Sequence, residues 1–256
     1  MSLKQKLNSG ELLLGVTATI GSPQIAELLA NIGFDWIWIE TEHTTMSPES
    51  VLQQLQAISG TGTQALVRVP CNDPTLIKRI IDTGPHGIIV PEINNREDAE
   101  NAIRYIKYPP MGERGIGLSR AQGYGLKLGD YIKSANDEVA AVFMIEHVNA
   151  VKNINEILSV KGLDAVIVGS LDLAGSMNLK DDLSNPAIEN ETQKVLVACQ
   201  KANIPCGIFA GSAEIAKSRI KHGFRLLTLG ADVLMILSSA KNILDSVKND
   251  LFIYYD

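Results

Sequence analysis

Eight short apolar runs, each followed by a segment with helical spacing, constrain this chain's fold more than anything else in it. The runs are LLLGVTAT (12–19), FDWIWIE (34–40), QALVRV (64–69), GIIVPEI (87–93), AAVFMIE (140–146), AVIVG (165–169), PCGIFAG (205–211) and LLTLGAD (226–232). They are near-continuous rather than alternating, as strands buried on both faces must be. Helical patterns follow at 23–33, from Ser47, at 73–84, 95–107, 151–158, 185–203, 212–223 and 234–248. Ser47, Asp73 and Asn185 each precede a proline, the order of a cap and a first-turn proline. Right-handed crossovers between such units make a parallel sheet. Eight units in 256 residues predict one α/β domain over 1–256, closed as a (β/α)8 TIM barrel. No GxGxxG turn follows the first run, so a dinucleotide fold has little support.

Two stretches break the rhythm. YPPMGERGIGLSRAQGYG (108–125) carries two prolines and five glycines, and a long unpatterned loop is usually functional or mobile. A short helix is expected at 130–138, and an irregular loop from Leu171 to Asn185.

Composition narrows the function. No apolar run approaches the roughly 18 residues of a membrane span. No charged segment followed by an apolar one opens the chain, so no secretion signal is expected. A net charge of −6 argues against nucleic-acid or anionic-membrane partners. Cys71, Cys199 and Cys206 show no CxxC spacing, which fits reduced thiols and a cytoplasmic location.

The chemistry-bearing residues cluster where the apolar runs end. Glu40, Glu42 and His43 follow the second run, Arg68 ends the third, Glu146 ends the fifth, and Asp172 follows the sixth. In such a barrel the site lies at the C-terminal ends of the strands. Glu146 and Asp172 end neighbouring strands, and two carboxylates without cysteine suit a hard divalent cation such as Mg²⁺ or Mn²⁺. The plainer alternative is a helix-capping Asp172 and a solvated Glu146. His43 is a candidate base and Arg68 a brace for a developing negative charge. Equally, Glu40, Glu42, His43 and Arg68 fit an ordinary ion cluster. His147, next to Glu146, points the opposite way along a strand. His86 and His222 read as surface or capping groups, and Trp36 and Trp38 as core. No lysine ends a core strand, which disfavours an imine-forming enzyme.

GFDWIWIETEH (33–43), LVRVPCNDP (66–74), IIDTGPHGIIVPEI (80–93), YPPMGERGIG (108–117), FMIEHVNAV (143–151) and VGSLDLA (168–174) together cover most of the chain. They resemble the HpcH/HpaI aldolases, metal-dependent class II pyruvate aldolases related to 4-hydroxy-2-oxoheptanedioate aldolase and 2-dehydro-3-deoxyglucarate aldolase. The resemblance implies reversible cleavage of a 4-hydroxy-2-oxo acid to pyruvate and an aldehyde through a metal-bound enolate. It implies Glu146 and Asp172 as ligands of Mg²⁺, Mn²⁺ or Co²⁺, His43 as general base acting through metal-bound water, and Arg68 as the brace of the enolate. Backbone amides around Gly169 and Leu171 would hold the pyruvate carboxylate. Asp82 would raise the basicity of His43, although the barrel reading puts Asp82 nearer the other mouth. A homo-oligomer, hexameric by resemblance, is implied, with the 108–125 loop reaching a neighbour.

Three positions depart from the family pattern. Met144 stands where a Gln is frequent, Leu171 replaces Asn or Ala, and Glu40 replaces Asp. All three bear on substrate binding rather than on the metal or base. They motivate an alternative on the same site: oxaloacetate decarboxylation, or citrate-forming or acyl-CoA ester lyase chemistry. A non-catalytic, metabolite-binding barrel is the third possibility.

Overall fold

In the computed structural model, which describes residues 1–252 and side chains through Lys248, the strands close into one parallel barrel. They are β1 (Leu13–Ala18), β2 (Trp36–Glu40), β3 (Gln64–Arg68), β4 (Gly87–Val90), β5 (Ala140–Ile145), β6 (Ala165–Val168), β7 (Cys206–Phe209) and β8 (Leu226–Ala231). Each pairs with the next, and β8 pairs with β1. This is the barrel expected from the eight apolar runs.

The helices are α1 (Leu3–Asn8), α2 (Pro23–Ile32), α3 (Pro48–Ala57), α4 (Pro74–Ile81), α5 (Arg96–Ile106), α6 (Leu128–Glu138), α7 (Val148–Lys152), α8 (Ile154–Leu158), α9 (Ser170–Ser176), α10 (Pro186–Ala202), α11 (Ala213–His222) and α12 (Asp232–Phe252). Ser47, Asp73 and Asn185 do cap α3, α4 and α10, each accepting a backbone N–H from beyond the proline that follows it.

Side-chain alternation divides the strands between two cores. Ile37 and Ile39 of β2 pack outward against the helices, while Trp36 and Trp38 fill the barrel with Leu66, Val142, Met144 and Ile167. The inward series on β2 therefore runs 36, 38, 40. On β3 it runs 66, 68, and on β5 142, 144, 146. Glu40, Arg68 and Glu146 are thus the next inward positions after the last apolar layer. Gly15 makes room for this packing: a Cβ there would stand 2.5 Å from the Trp36 ring.

Four local features depart from the sequence reading. The N-terminal segment forms α1, whose Leu3 and Leu7 plug the barrel beneath Leu13, Trp36 and Leu226. Its Lys4 reaches Asp164 at 3.2 Å, tying the plug to the start of β6. Part of the expected 171–185 loop is helix α9, and Asn153 divides the expected 151–158 helix into α7 and α8. β4 stops at Val90, because Glu92 turns into left-handed backbone at φ 57°. Among the described residues no helix is long and apolar enough to cross a membrane.

Leu7 is 1% exposed, and Leu7→Ala should cost about 2–5 kcal/mol by removing part of the plug. Denaturant unfolding checks this; a loss under about 1 kcal/mol would show that α1 is dispensable to the barrel.

Candidate active site

Glu40 and Arg68 lie directly opposite each other in the β2–β3 register, and both are buried. Arg68 donates from Nε to Glu40 Oε2 at 2.6 Å, and its Nη2 stands 2.6 Å from the same oxygen. Trp38 Nε1 also donates to that oxygen at 3.1 Å, and its ring lies 5.0 Å from the guanidinium carbon. The other oxygen, Oε1, accepts the backbone N–H groups of Glu42 at 2.6 Å and His43 at 3.1 Å. One carboxylate thus fixes the arginine and the loop that carries His43. The Thr41 hydroxyl donates to the Arg68 carbonyl and ties that loop to β3.

Glu42 faces the same arginine from the loop. Its Oε2 is 2.8 Å from Arg68 Nη1 but outside hydrogen-bond geometry, so the contact is Coulombic. Burial raises the Glu42 carboxyl to about 7. Arg68 opposes that rise, while Glu146, Glu40 and Asp172 add to it. His43 Nε2 lies 3.9 Å from Glu42, with the ring largely exposed above the cavity.

Glu146 follows β5 and is buried, its Oε1 accepting the Glu92 backbone N–H at 2.7 Å. The left-handed turn at Glu92 is what aims that amide. Burial raises the Glu146 carboxyl, the Glu92 amide and Arg68 pull it back, and Asp172 and Glu92 push it further up. Asp172 lies in the first turn of α9, which follows β6 through Gly169. A Cβ at Gly169 would come within 2.9 Å of Glu146 Oε2 and 3.1 Å of the Met144 methyl, so only glycine fits there.

Glu40, His43, Arg68, Gly169 and Asp172 line a cavity of about 530 Å³ together with Met144. Ser170 and Leu171 line it too, from a helix turn whose N–H groups have no intrahelical partner. Trp38, Ile167, Val168 and Ala231 also line it, as do Thr17, Thr19 and Phe209, which sequence reasoning missed. Their signal was available: they share the inward phase of β1 and β7. Asp232, at the start of α12, holds that side of the mouth. It accepts Thr19 N and Ile20 N at 2.9 Å and the Thr19 hydroxyl at 2.6 Å.

Asp82 is not brought to this mouth within the chain. It ends α4, at the opposite mouth, and pairs with Arg114 at 2.9 Å. His147 caps α7 through Nδ1, and His86 accepts the Ala65 N–H at the far mouth. Lys107 is buried and lowered to about 7 by that burial, but it donates to the carbonyls of Asn136 and Val139 at the far mouth. Trp36 is core, as expected, whereas Trp38 has a second task in holding Glu40.

An eight-stranded barrel with carboxylates and an arginine at its C-terminal mouth defines a class of small-molecule enzyme. The family model for HpcH/HpaI aldolase/citrate lyase matches residues 16–239, and the chain belongs to that family. It is a carbon–carbon lyase. It is 36% identical to the 2-dehydro-3,6-dideoxy-6-sulfogluconate aldolase of Pseudomonas putida, over 92% of each chain. It is 34% identical to the 4-hydroxy-2-oxo-heptane-1,7-dioate aldolase of Shigella sonnei (strain Ss046), over 94% of this chain and 92% of that one. A solved HpcH/HpaI aldolase/citrate lyase family protein from Burkholderia cenocepacia J2315 superposes with a TM-score of 0.92 at 35% identity, covering 96% and 98% of the two chains.

The raised Glu42 carboxyl gives a pH test. Below its ordinary value of 4.5 the group is protonated in both folded and unfolded chains. Between 4.5 and about 7 the unfolded chain loses the proton first, so stability falls as pH rises through that window. Glu42→Gln removes this loss. In metal-free protein the Tm advantage of Glu42→Gln should therefore grow from pH 4.5 to 7; an advantage independent of pH would contradict the assignment.

Proposed function

We propose that this mouth reversibly cleaves a 4-hydroxy-2-oxo acid to pyruvate and an aldehyde, with a divalent cation held by Glu146 and Asp172. The observation that carries the reading is the imbalance of charge: Glu40, Glu42, Glu146 and Asp172 converge on one guanidinium, Arg68. Burial is the main cause that raises Glu146, and a cation between Glu146 and Asp172 would relieve the repulsion from Asp172 that adds to it. Among the described residues no third His, Cys, Asp or Glu closes a cage there. Two oxygen-bearing ligands leave positions for substrate and water, the preference of Mg²⁺ and Mn²⁺, with Co²⁺ next by resemblance.

When bound, the cation supplies Lewis-acid stabilisation of the charge that develops on the 2-oxo group. The protein groups do the rest. Arg68, held by Glu40 and stacked near Trp38, presents fixed positive charge to the enolate oxygen. His43, through water, takes the 4-hydroxyl proton, the C3–C4 bond breaks, and the aldehyde departs while the C3–C4 bonding pair remains on the three-carbon fragment. Proton return to C3 gives pyruvate. The amides around Gly169 and Leu171 receive the carboxylate, and Met144 forms an apolar floor under the reacting carbons. A role for Asp82 at His43 needs a second copy of the chain. The exposed apolar side chains of α12, among them Leu234, Ile236, Leu237, Ile243 and Leu244, support a homo-oligomer.

Pyruvate and a panel of aldehydes, with and without Mn²⁺, test the reading. Condensation should need the cation, and His43→Ala should lower kcat by about 10²–10⁴. Glu146→Ala should abolish the dependence on cation. Activity surviving both substitutions would overturn the assignment, and so would borohydride trapping of a pyruvate–lysine adduct. The buried Met144 floor favours one second reading, decarboxylation of oxaloacetate through the same enolate. Oxaloacetate turnover without cleavage of any 4-hydroxy-2-oxo acid would select it.

A further inference from the structure

Trp38 stands where the apolar filling of the barrel meets the charged mouth. It is the inward residue of β2 just before Glu40, it is buried, and it borders the cavity. Its ring is packed against two neighbours. Trp36 stacks with it at 6.5 Å and 21°, and the Arg68 guanidinium carbon stands 5.0 Å from its centroid. A tryptophan has only two side-chain torsions, so a ring packed in this way is a stiff support for a hydrogen bond.

That stiffness reaches Arg68 through one oxygen. Glu40 is held at Oε1 by the amides of Glu42 and His43. A carboxylate held at one oxygen alone can still pivot about it and carry the arginine along. Trp38 Nε1 donates to the other oxygen, Oε2, at 3.1 Å. Arg68 Nε donates to that same oxygen, and Nη2 stands 2.6 Å from it. On the opposite side Glu42 Oε2 attracts Nη1 without forming a hydrogen bond. The place of the guanidinium is therefore decided on the Glu40 side, where Trp38 fixes the acceptor. Trp38, Glu40 and Arg68 are all buried within the chain and make these contacts on β2 and β3 alone.

We propose that Trp38 is a positioning residue for enolate formation: through Glu40 it holds the Arg68 guanidinium where that group meets the developing negative charge. Placement matters because a shift of about 1 Å in a charged group can cost on the order of a hundredfold in rate. The inference rests on the aldolase reading of the site and adds a residue to its machinery.

Solvent-deuterium exchange into the pyruvate methyl group, with Mn²⁺ present and no aldehyde, reads enolisation by proton NMR. Rates are taken per Mn²⁺ site titrated in the same sample, so loss of folded protein does not enter. Trp38→Phe keeps an aromatic ring and removes the N–H. It should lower kcat for exchange by about 10- to 100-fold, the usual worth of a hydrogen bond to a charged group, and move KM for pyruvate by less than about threefold. Trp38→His, which returns a ring N–H, should recover part of that loss. Trp36→Phe makes the same change one inward position earlier, where the indole N–H has no hydrogen-bond partner among the described residues. It should leave exchange within about threefold of wild type. In an Arg68→Lys background, Trp38→Phe should cost less than about threefold further, because its effect passes through the guanidinium.

Exchange by Trp38→Phe at the wild-type rate would overturn this inference and leave the aldolase reading standing. So would an equal loss in Trp36→Phe, or losses that multiply in full in the Arg68→Lys background. A wild-type enzyme that neither exchanges pyruvate nor condenses it with any aldehyde would overturn the aldolase reading, and this inference with it.

Discussion

Four carboxylates crowd around one arginine at the C-terminal mouth of this barrel, and the rest of the site follows from that imbalance. Glu40 and Glu42 take the guanidinium of Arg68 between them. Glu146 and Asp172 are left to repel each other across the ends of β5 and β6. Like charges sharing a half-buried site push their pKa values up until protons or a cation relieve them. Burial is the main cause that raises Glu42 and Glu146, and the neighbouring carboxylates add to the rise. A mouth so arranged carries an excess of negative charge, which the proposed divalent cation would offset.

The barrel's alternation is what makes this crowding possible. Trp36 and Trp38, Leu66, and Val142 and Met144 fill successive inner layers. The next inward residue on each of those strands is charged: Glu40, Arg68 and Glu146. The apolar layers beneath keep water out on one side, which strengthens every interaction above them. Trp38 links the two zones, since its ring packs in the core and its indole N–H holds Glu40. Plugging of the far mouth by α1 completes the dry floor.

Much of this was legible in the sequence for a plain physical reason. Strands buried on both faces leave unbroken apolar runs, so a polar residue at the end of a run stands out, as Glu146 and Arg68 did. The chain could also be read as a barrel because eight such runs recur, each followed by a helical segment. What the sequence hid was different in kind. Phe209 and Thr17 carry no charge to mark them at the mouth, and only the inward phase of their strands signals them. Glu92 contributes a backbone amide, which no side-chain pattern encodes. α1 and α9 are too short for a hydrophobic period to declare itself. Asp82 carried a family role that a single chain does not bring to the mouth, because α4 takes it to the other end of the barrel and Arg114 holds it there.

Calorimetric titration of metal-free protein with Mn²⁺, at pH 6.5 in two buffers of different ionisation enthalpy, tests the charge-imbalance account most directly. A cation bound beside Glu42 favours its charged form, so binding must displace the proton that Glu42, raised to about 7, holds at pH 6.5. The account predicts one ion per chain, proton release at pH 6.5 that fades by pH 8.5, and loss of binding in a Glu146→Gln, Asp172→Asn double variant. Binding that releases no protons, or that survives the double variant, would contradict it.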